Sequence, residues 1–294
     1  MIAVRNLTQT YRSGRGVFDL SFTIREGEVF GYLGPNGAGK TTTIRNLLGF
    51  MNADSGSATI NGKDCRKDAA ELQAIIGFLP GEIAFFDNMT GVDFLKLMGE
   101  MRRMESTARR DELVESFELN VDYKIRRMSK GMKQKLAVVT AFMHDPLVYI
   151  LDEPTSGLDP FMQNVFMDLL RGEKERGKTV MLSSHIFEEV QRICDRAGII
   201  KEGRLVAVED VRELTQAREK SYTVVLADPS DVAKLKARDL DVKEVADGRV
   251  IVTVRNNYRD FFRALSECEV NGLESRTQAL EDVFMKYYGE EAKS

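Results

Sequence analysis

Two short stretches combine residue types that do chemistry on phosphate. "GPNGAGKT", Gly34 to Thr41, fits the pattern G-x-x-x-x-G-K-[ST] in full. Glycines at 34, 37 and 39 let the backbone curl until its N–H groups face one point. A helix starting there adds the positive end of its dipole. At that spacing Lys40 reaches the β- and γ-phosphates of a nucleotide, and the Thr41 hydroxyl ligates Mg²⁺. The second stretch, "LVYILDEP", sets Asp152 and Glu153 directly after an apolar run. Two acids there are costly unless a cation or a catalytic role holds them. Asp152, at the carboxyl end of a strand, is the natural partner of Mg²⁺, and Glu153 could take a proton from attacking water. Alone, the pair also reads as a solvated strand end; beside a phosphate loop the chemical reading gains weight.

The flanking patterns predict what positions these residues. "EVFGYLG" is a short apolar strand before the glycine loop, and "TTTIRNLLGF" continues with helical spacing. "IAVRNLTQTY", "FDLSFTIREG" and "GSATING" alternate in the manner of antiparallel strands. "LVYILDE", "TVMLSSH" and "RAGIIKEG" are buried-strand candidates separated by helical stretches, which implies an α/β fold with a largely parallel sheet. Residues 85–145 are helix-rich, with apolar positions at Val92, Leu95, Met98 and Met101. Near residue 215 "TQAREKS" reads as a polar linker. Beyond it the order is strand, helix, strand, strand, helix, strand, helix, ending in "ALEDVFMKYYG"; this matches a small ferredoxin-like α+β domain. The expected division is residues 1–217 and 218–294.

Bulk properties narrow the function classes. The chain has 294 residues and a net charge of −4, so it lacks the basic excess of a duplex-binding protein. Cys65, Cys194 and Cys268 are scattered, which argues against a disulfide framework and against zinc. The segment from Arg5 onward is polar, with no signal-peptide core, and apolar runs such as "LAVVTAFM" are too short to span a bilayer. A reduced, cytoplasmic location with no nucleic-acid partner is the simplest reading.

In this order the motifs resemble the nucleotide-binding subunit of ABC transporters over residues 1 to about 215. The resemblance implies a P-loop NTPase fold with a mixed, mostly parallel sheet, an antiparallel β subdomain and a helical subdomain. It implies that Gly34, Pro35, Asn36, Gly37, Ala38, Gly39, Lys40, Thr41 and Thr42 hold ATP, with Tyr11 stacked on the adenine. Mg²⁺, the one metal implied, falls to Thr41 and Asp152. "MSKGM" occupies the place of the LSGGQ signature, so Ser129 and Gly131 would meet the γ-phosphate held by a second copy. "SGLD", ending at Asp159, matches the D-loop, and His185 matches the switch histidine. "SKGMKQKL", the small C-terminal domain and its "ALEDVF" resemble ABC-2-type exporter ATPases in particular. The implied partner is a membrane permease holding the chain to the inner face of the cell membrane, with export the implied direction.

Some positions depart from the pattern or carry two readings. Where the family has a glutamine after "IGFLP", this chain has Gly81 and then Glu82. Glu82 either takes over the metal or water contact or is a surface acid. Lys130 replaces the first glycine of the signature and Met132 its glutamine. Ser129 also reads as the N-cap of a helix, and an N-cap is where an anion binds. Tyr11 could pack within a strand, His185 could be a structural histidine, and His144 reads as structural. The Phe- and Met-rich stretch around Phe85 and Phe86 is either helical core or, by the resemblance, a groove for the permease's coupling helix. Two rivals stand beside the transport reading. One is a soluble ATPase acting on nucleic acid or ribosomes, for which a second cassette or a coiled-coil insert is lacking. The other is a nucleotide switch that does not hydrolyse.

Overall fold

A computed structural model describes residues 1–216, 220–238, 240–246, 248–254 and 257–276. These fall into two compact units, Met1–Val211 and Arg212–Ser294.

The first unit opens with strands β1 (Ile2–Thr10) and β2 (Gly16–Ile24), whose alternating burial is that of a sheet packed on one face. Next come β3 (Val29–Leu33), helix α1 (Lys40–Leu47), β4 (Ser55–Ile60), β5 (Lys63–Asp64), α2 (Ala69–Ile75) and β6 (Ile76–Leu79). A helical stretch follows: α3 (Gly91–Met101), α4 (Ala108–Ser116) and α5 (Lys130–Phe142). The chain then alternates β7 (Val148–Asp152), α6 (Pro160–Glu175), β8 (Thr179–Ser184), α7 (Phe187–Ile193), β9 (Arg196–Lys201) and β10 (Arg204–Asp210).

Strands β2-β1-β4-β5 form an antiparallel sheet, and β10-β9-β3-β8-β7-β6 form the central one. Within the central sheet β9, β3, β8, β7 and β6 run parallel, and β10 closes one edge antiparallel. Every residue of β3, β7 and β8 is buried, as expected where helices cover both faces of a parallel sheet. Phe22 on β2 stacks on Phe30 and Tyr32 of β3, which joins the two sheets in one core. The register is what matters for chemistry. Leu33 pairs with Ser184 and Asp152 with Ser183, so three neighbouring strands release their carboxyl ends at one level.

The helix-rich stretch is helical as expected, and its apolar positions divide between core and surface. The buried face of α3 is Gly91, Phe94 and Leu95, whereas Val92 and Met101 are exposed. Val92 heads a row that continues one turn later through exposed Lys96, so it points to solvent. A capping box between Thr90 and Asp93 fixes the start of this helix.

Helix α8 (Val211–Gln216) begins at the boundary of the units. The polar "TQAREKS" is therefore not all linker: its first residues close α8, and β11 (Lys220–Leu226) already begins at Lys220, paired with Val254. The second unit continues with α9 (Val232–Lys236), β12 (Asp241–Ala246), β13 (Arg249–Val254), α10 (Tyr258–Ser266) and β14 (Val270–Arg276). The strand order β12-β13-β11-β14, all antiparallel, is the ferredoxin-like arrangement. Val224, Val250, Val252, Leu235 and Phe261 make its core. The expected final helix, "ALEDVFMKYYG", lies outside the described residues.

Candidate functional site

The glycine loop leaves β3 at Leu33, and its first residue is tied down by Gly34 N–H donating to the Ser184 carbonyl at 3.2 Å. A Cβ at Gly34 would lie 2.3 Å from the Ile200 carbonyl oxygen, so only glycine fits. Gly37 and Gly39 have φ of 80° and 110°, a region that side chains disfavour. Gly39 also caps α1 without any side-chain hydrogen bond, so the first-turn N–H groups have no internal acceptor from a cap. Lys40 is only 6% exposed. Its ammonium donates to the carbonyls of Gly34 at 2.6 Å and Pro35 at 3.3 Å, and it pairs with Glu153 at 3.1 Å.

The carboxylates meet this loop at the end of β7. Asp152, 2% exposed, accepts from the Thr41 hydroxyl at 2.7 Å and from the Ser183 hydroxyl at 2.5 Å. Glu153 follows with φ of 50°, an uncommon conformation for a residue with a side chain. Its N–H is held by Ser183, 3.1 Å from the hydroxyl and 3.2 Å from the carbonyl. That turn sends the Glu153 side chain between two partners, Lys40 on one oxygen and His185 Nδ1 at 2.6 Å on the other. The arrangement presents a carboxylate that can accept a proton, a cation for phosphate oxygens, and a half-exposed imidazole.

Thr41 and Asp152 form a set of hard oxygen donors that suits Mg²⁺. Among the described residues no group of three or more His, Cys, Asp or Glu could cage a metal. Such a site fits an ion that takes its other ligands from substrate phosphates and water.

These groups line a cleft of about 750 Å³. Tyr11, Pro35, Asn36, Gly37, Gly39, Lys40, Thr41, Thr42, Glu82, Asp152, Glu153 and His185 all reach it. Gly34 and Ala38 are buried behind the loop. Tyr11 sits half-exposed, its hydroxyl 3.3 Å from the Thr42 hydroxyl and 3.4 Å from Met51 Sδ. Glu82 is exposed at the rim, while a Cβ at Gly81 would lie 3.3 Å from the Asp152 carboxylate. The Gly81 backbone thus lies beside the Asp152 carboxylate.

Ser129, Gly131 and Asp159 are not among the residues lining this cleft. Ser129 caps α5 and accepts from Met132 N–H at 3.2 Å; Asp159 caps α6 and accepts from Met162 N–H at 2.9 Å. The signature turn packs on the D-loop turn of its own chain: the Lys130 stem lies over Gly157, and Gly131 backs onto the Gly157 carbonyl. His144 is structural, its Nε2 at 3.2 Å from the Ile76 carbonyl. Phe85 packs edge-on against Phe94, while Phe86 is 61% exposed.

Three buried residues of the site carry no motif signal. Ser183 bridges Asp152 and Glu153; the polar pair closing "TVMLSS" is its only trace in the sequence. Gln134 donates to the Pro154 carbonyl at 2.7 Å, tying α5 to the turn after Glu153. Glu189 accepts hydrogen bonds from Thr155 and Ser184.

Residues 17–156 match the profile of a family described as ABC transporter. A Bacillus subtilis protein named as an uncharacterised ABC transporter ATP-binding protein, YhcH, is 34% identical over 99% of this chain and 96% of its own length. A Burkholderia lata protein named Nod factor export ATP-binding protein I is 37% identical over 70% of this chain and 69% of its own. Among solved structures, a dimeric ATP-binding cassette in a post-hydrolysis state with ADP and Pi superposes with a TM-score of 0.64 at 26% identity, covering 72% of this chain and 99% of that one.

Proposed function

This chain belongs to the ABC transporter family as an ATP-binding, ATP-hydrolysing subunit, and from that premise we propose that it energises a separate membrane permease, in the direction of export, by closing and reopening an ATP-bound dimer. The observation that carries the reading is Glu153 held between Lys40 and His185 beside the Thr41–Asp152 pair, all on one cleft. Nucleotide phosphates draw Lys40 away from Glu153. The freed carboxylate keeps His185 as its partner and takes the proton of attacking water. Mg²⁺, held by Thr41 and Asp152, would supply charge neutralisation on the phosphates. Tyr11 at the rim offers a ring to the adenine.

Ser129, Gly131 and Asp159 contribute nothing to the cleft of their own chain. In the proposed dimer they serve the cleft of the other copy, closing on its γ-phosphate, and hydrolysis lets the two copies part. Glu82 is proposed only as a rim residue of the nucleotide site. Residues 1–217 are proposed as the ATP-binding domain and 218–294 as an accessory domain. Export draws support from the Nod factor export relative. Among the described residues no helix is long and apolar enough to cross a membrane, in keeping with a peripheral subunit that reaches the cytoplasmic face through its permease.

The test is ATP turnover by the isolated chain, and again with its co-purified permease in proteoliposomes. Turnover that rises with the permease and drives efflux supports the reading. Tight ATP binding with no turnover in either setting would identify a nucleotide switch instead.

A further inference from the structure

Helix α7 carries two adjacent acids with opposite fates: Glu188 is exposed and Glu189 is 9% exposed. Phe187, Val190 and Ile193 bury the same side of the helix. Gly31 of β3 lets it approach so closely that a Cβ there would lie 2.6 Å from Val190 Cγ1. The Glu189 carboxylate is thereby fixed behind the catalytic cleft. One oxygen accepts from the Thr155 hydroxyl, the other from the Ser184 hydroxyl at 2.6 Å. Thr155 lies two residues after Glu153, and Ser184 directly precedes His185. Both hydroxyls are buried, so an unpaired one would be costly.

We propose that Glu189 is a positioning residue for ATP hydrolysis: its carboxylate clamps the Thr155 turn to the Ser184 turn and so holds Glu153 and His185 at their mutual hydrogen-bond distance. This rests on the reading of Glu153 and His185 as the hydrolytic pair. The clamp does not touch nucleotide. Lys40 and the glycine loop are held mainly by bonds in which the Glu189 side chain takes no part: Lys40 to the carbonyls of Gly34 and Pro35, and Gly34 N–H to the main-chain carbonyl of Ser184. Losing the clamp should therefore weigh far more on the chemical step than on binding.

The experiment measures kcat, KM for ATP and nucleotide affinity in the full chain. Glu189→Leu should lower kcat by ~10- to 100-fold, the scale of a catalytic group misplaced by about 1 Å, with KM and affinity within about twofold of wild type. Glu189→Gln should recover most of the rate. Its amide oxygen still accepts from one hydroxyl, and its NH₂ donates to the other. Should Glu189→Leu fail to fold, Thr155→Val removes one clamp bond and Ser184→Ala the other, together with the bond from Ile186 N–H to the same hydroxyl, and each should lower kcat without moving KM. Wild-type kcat in both would overturn the proposal. So would a parallel loss of kcat, ATP affinity and thermal stability in Glu189→Leu that Glu189→Gln does not relieve, since that marks a structural role alone. Glu153→Gln is the control that separates the two levels. If it is inactive while Glu189→Leu turns over normally, only the clamp is wrong. If Glu153→Gln itself turns over normally, the underlying assignment of the base is wrong.

Discussion

Helices α1 and α5 both begin at motifs that bind phosphate by resemblance, yet their N-termini are built differently. At α1, Gly39 offers no side-chain cap, and the flanking cation, Lys40, is buried and already paired with Glu153. At α5, Ser129 caps the helix itself through Met132 N–H, and the flanking cation, Lys130, is exposed. The first terminus is a socket: its amides and lysine gain their best partner only when a phosphate arrives. The second is partly satisfied within its own chain, by the Ser129 cap on Met132 N–H, and in the proposed dimer it would meet an anion brought by another molecule. On the proposed function, the difference separates a terminus that would bind nucleotide from one that would sense it.

Several experiments would break or sharpen that contrast. The largest effect belongs to the socket. Lys40→Ala removes the one side-chain cation aimed at the phosphates, and tight ATP binding and turnover should both disappear; unchanged turnover would end the assignment of the loop. Next, Glu153→Gln should keep binding ATP but hydrolyse at least ~100-fold more slowly, the scale of a lost general base. It should accumulate as ATP-bound dimers on gel filtration with ATP and Mg²⁺.

The surface at α5 should behave otherwise. Ser129→Arg should bind ATP as a monomer and fail to dimerise. Mixed with Lys40→Ala it should regain part of the ATPase activity, because one composite site is then whole. If the Ser129→Arg monomer cannot bind ATP, the two termini serve the same cleft and the contrast collapses. A gentler change isolates the cap: Ser129→Ala should cost about 1 kcal/mol of stability, read by thermal or denaturant unfolding, with monomer ATP affinity unchanged.

An effect confined to acid pH is expected at the opposite end of α5, where His144 follows the C-cap Met143. Burial, aided by Arg102, pushes its pKa down from 6.5 to about 4. The unfolded chain therefore takes up this proton at a higher pH than the folded one, and stability should fall as pH drops through that window. His144→Gln should flatten this part of the unfolding profile; an identical slope in both proteins would show that another group dominates.

Much of the socket was legible because its residues announce themselves locally. Gly34 to Thr41 and the acids ending "LVYILDE" each follow an apolar strand, so their polarity stands out, and the histidine of "TVMLSSH" directly follows a buried one. What the pattern could not supply is the register that sets Asp152 beside Ser183 and Leu33 beside Ser184. Residues satisfied through space were invisible for the same reason. Glu189 looks no different from Glu188 until Thr155 and Ser184 are brought to it, and Gln134 reads as a helix-surface polar residue until Pro154 is placed above it. Among the apolar positions of α3 the sequence could not say which face is buried, since an i, i+3 series fits more than one; packing buried Gly91, Phe94 and Leu95 and left Val92 exposed. At the departure from the family's glutamine, only the fold could tell that the Gly81 backbone lies against Asp152.

The Lys40–Glu153 pair also makes nucleotide loading a competition. Glu153 is an anion tethered beside the ammonium that the phosphates need, so its local concentration exceeds that of any free anion. On the proposed function, incoming ATP would have to displace it, which would raise the threshold concentration for loading. Once the γ-phosphate has been cut away, the same carboxylate can reclaim the lysine and so favours release of the product. A chain with Glu153→Gln would lose this built-in rival along with its base, and should hold both ATP and ADP more tightly than the wild type.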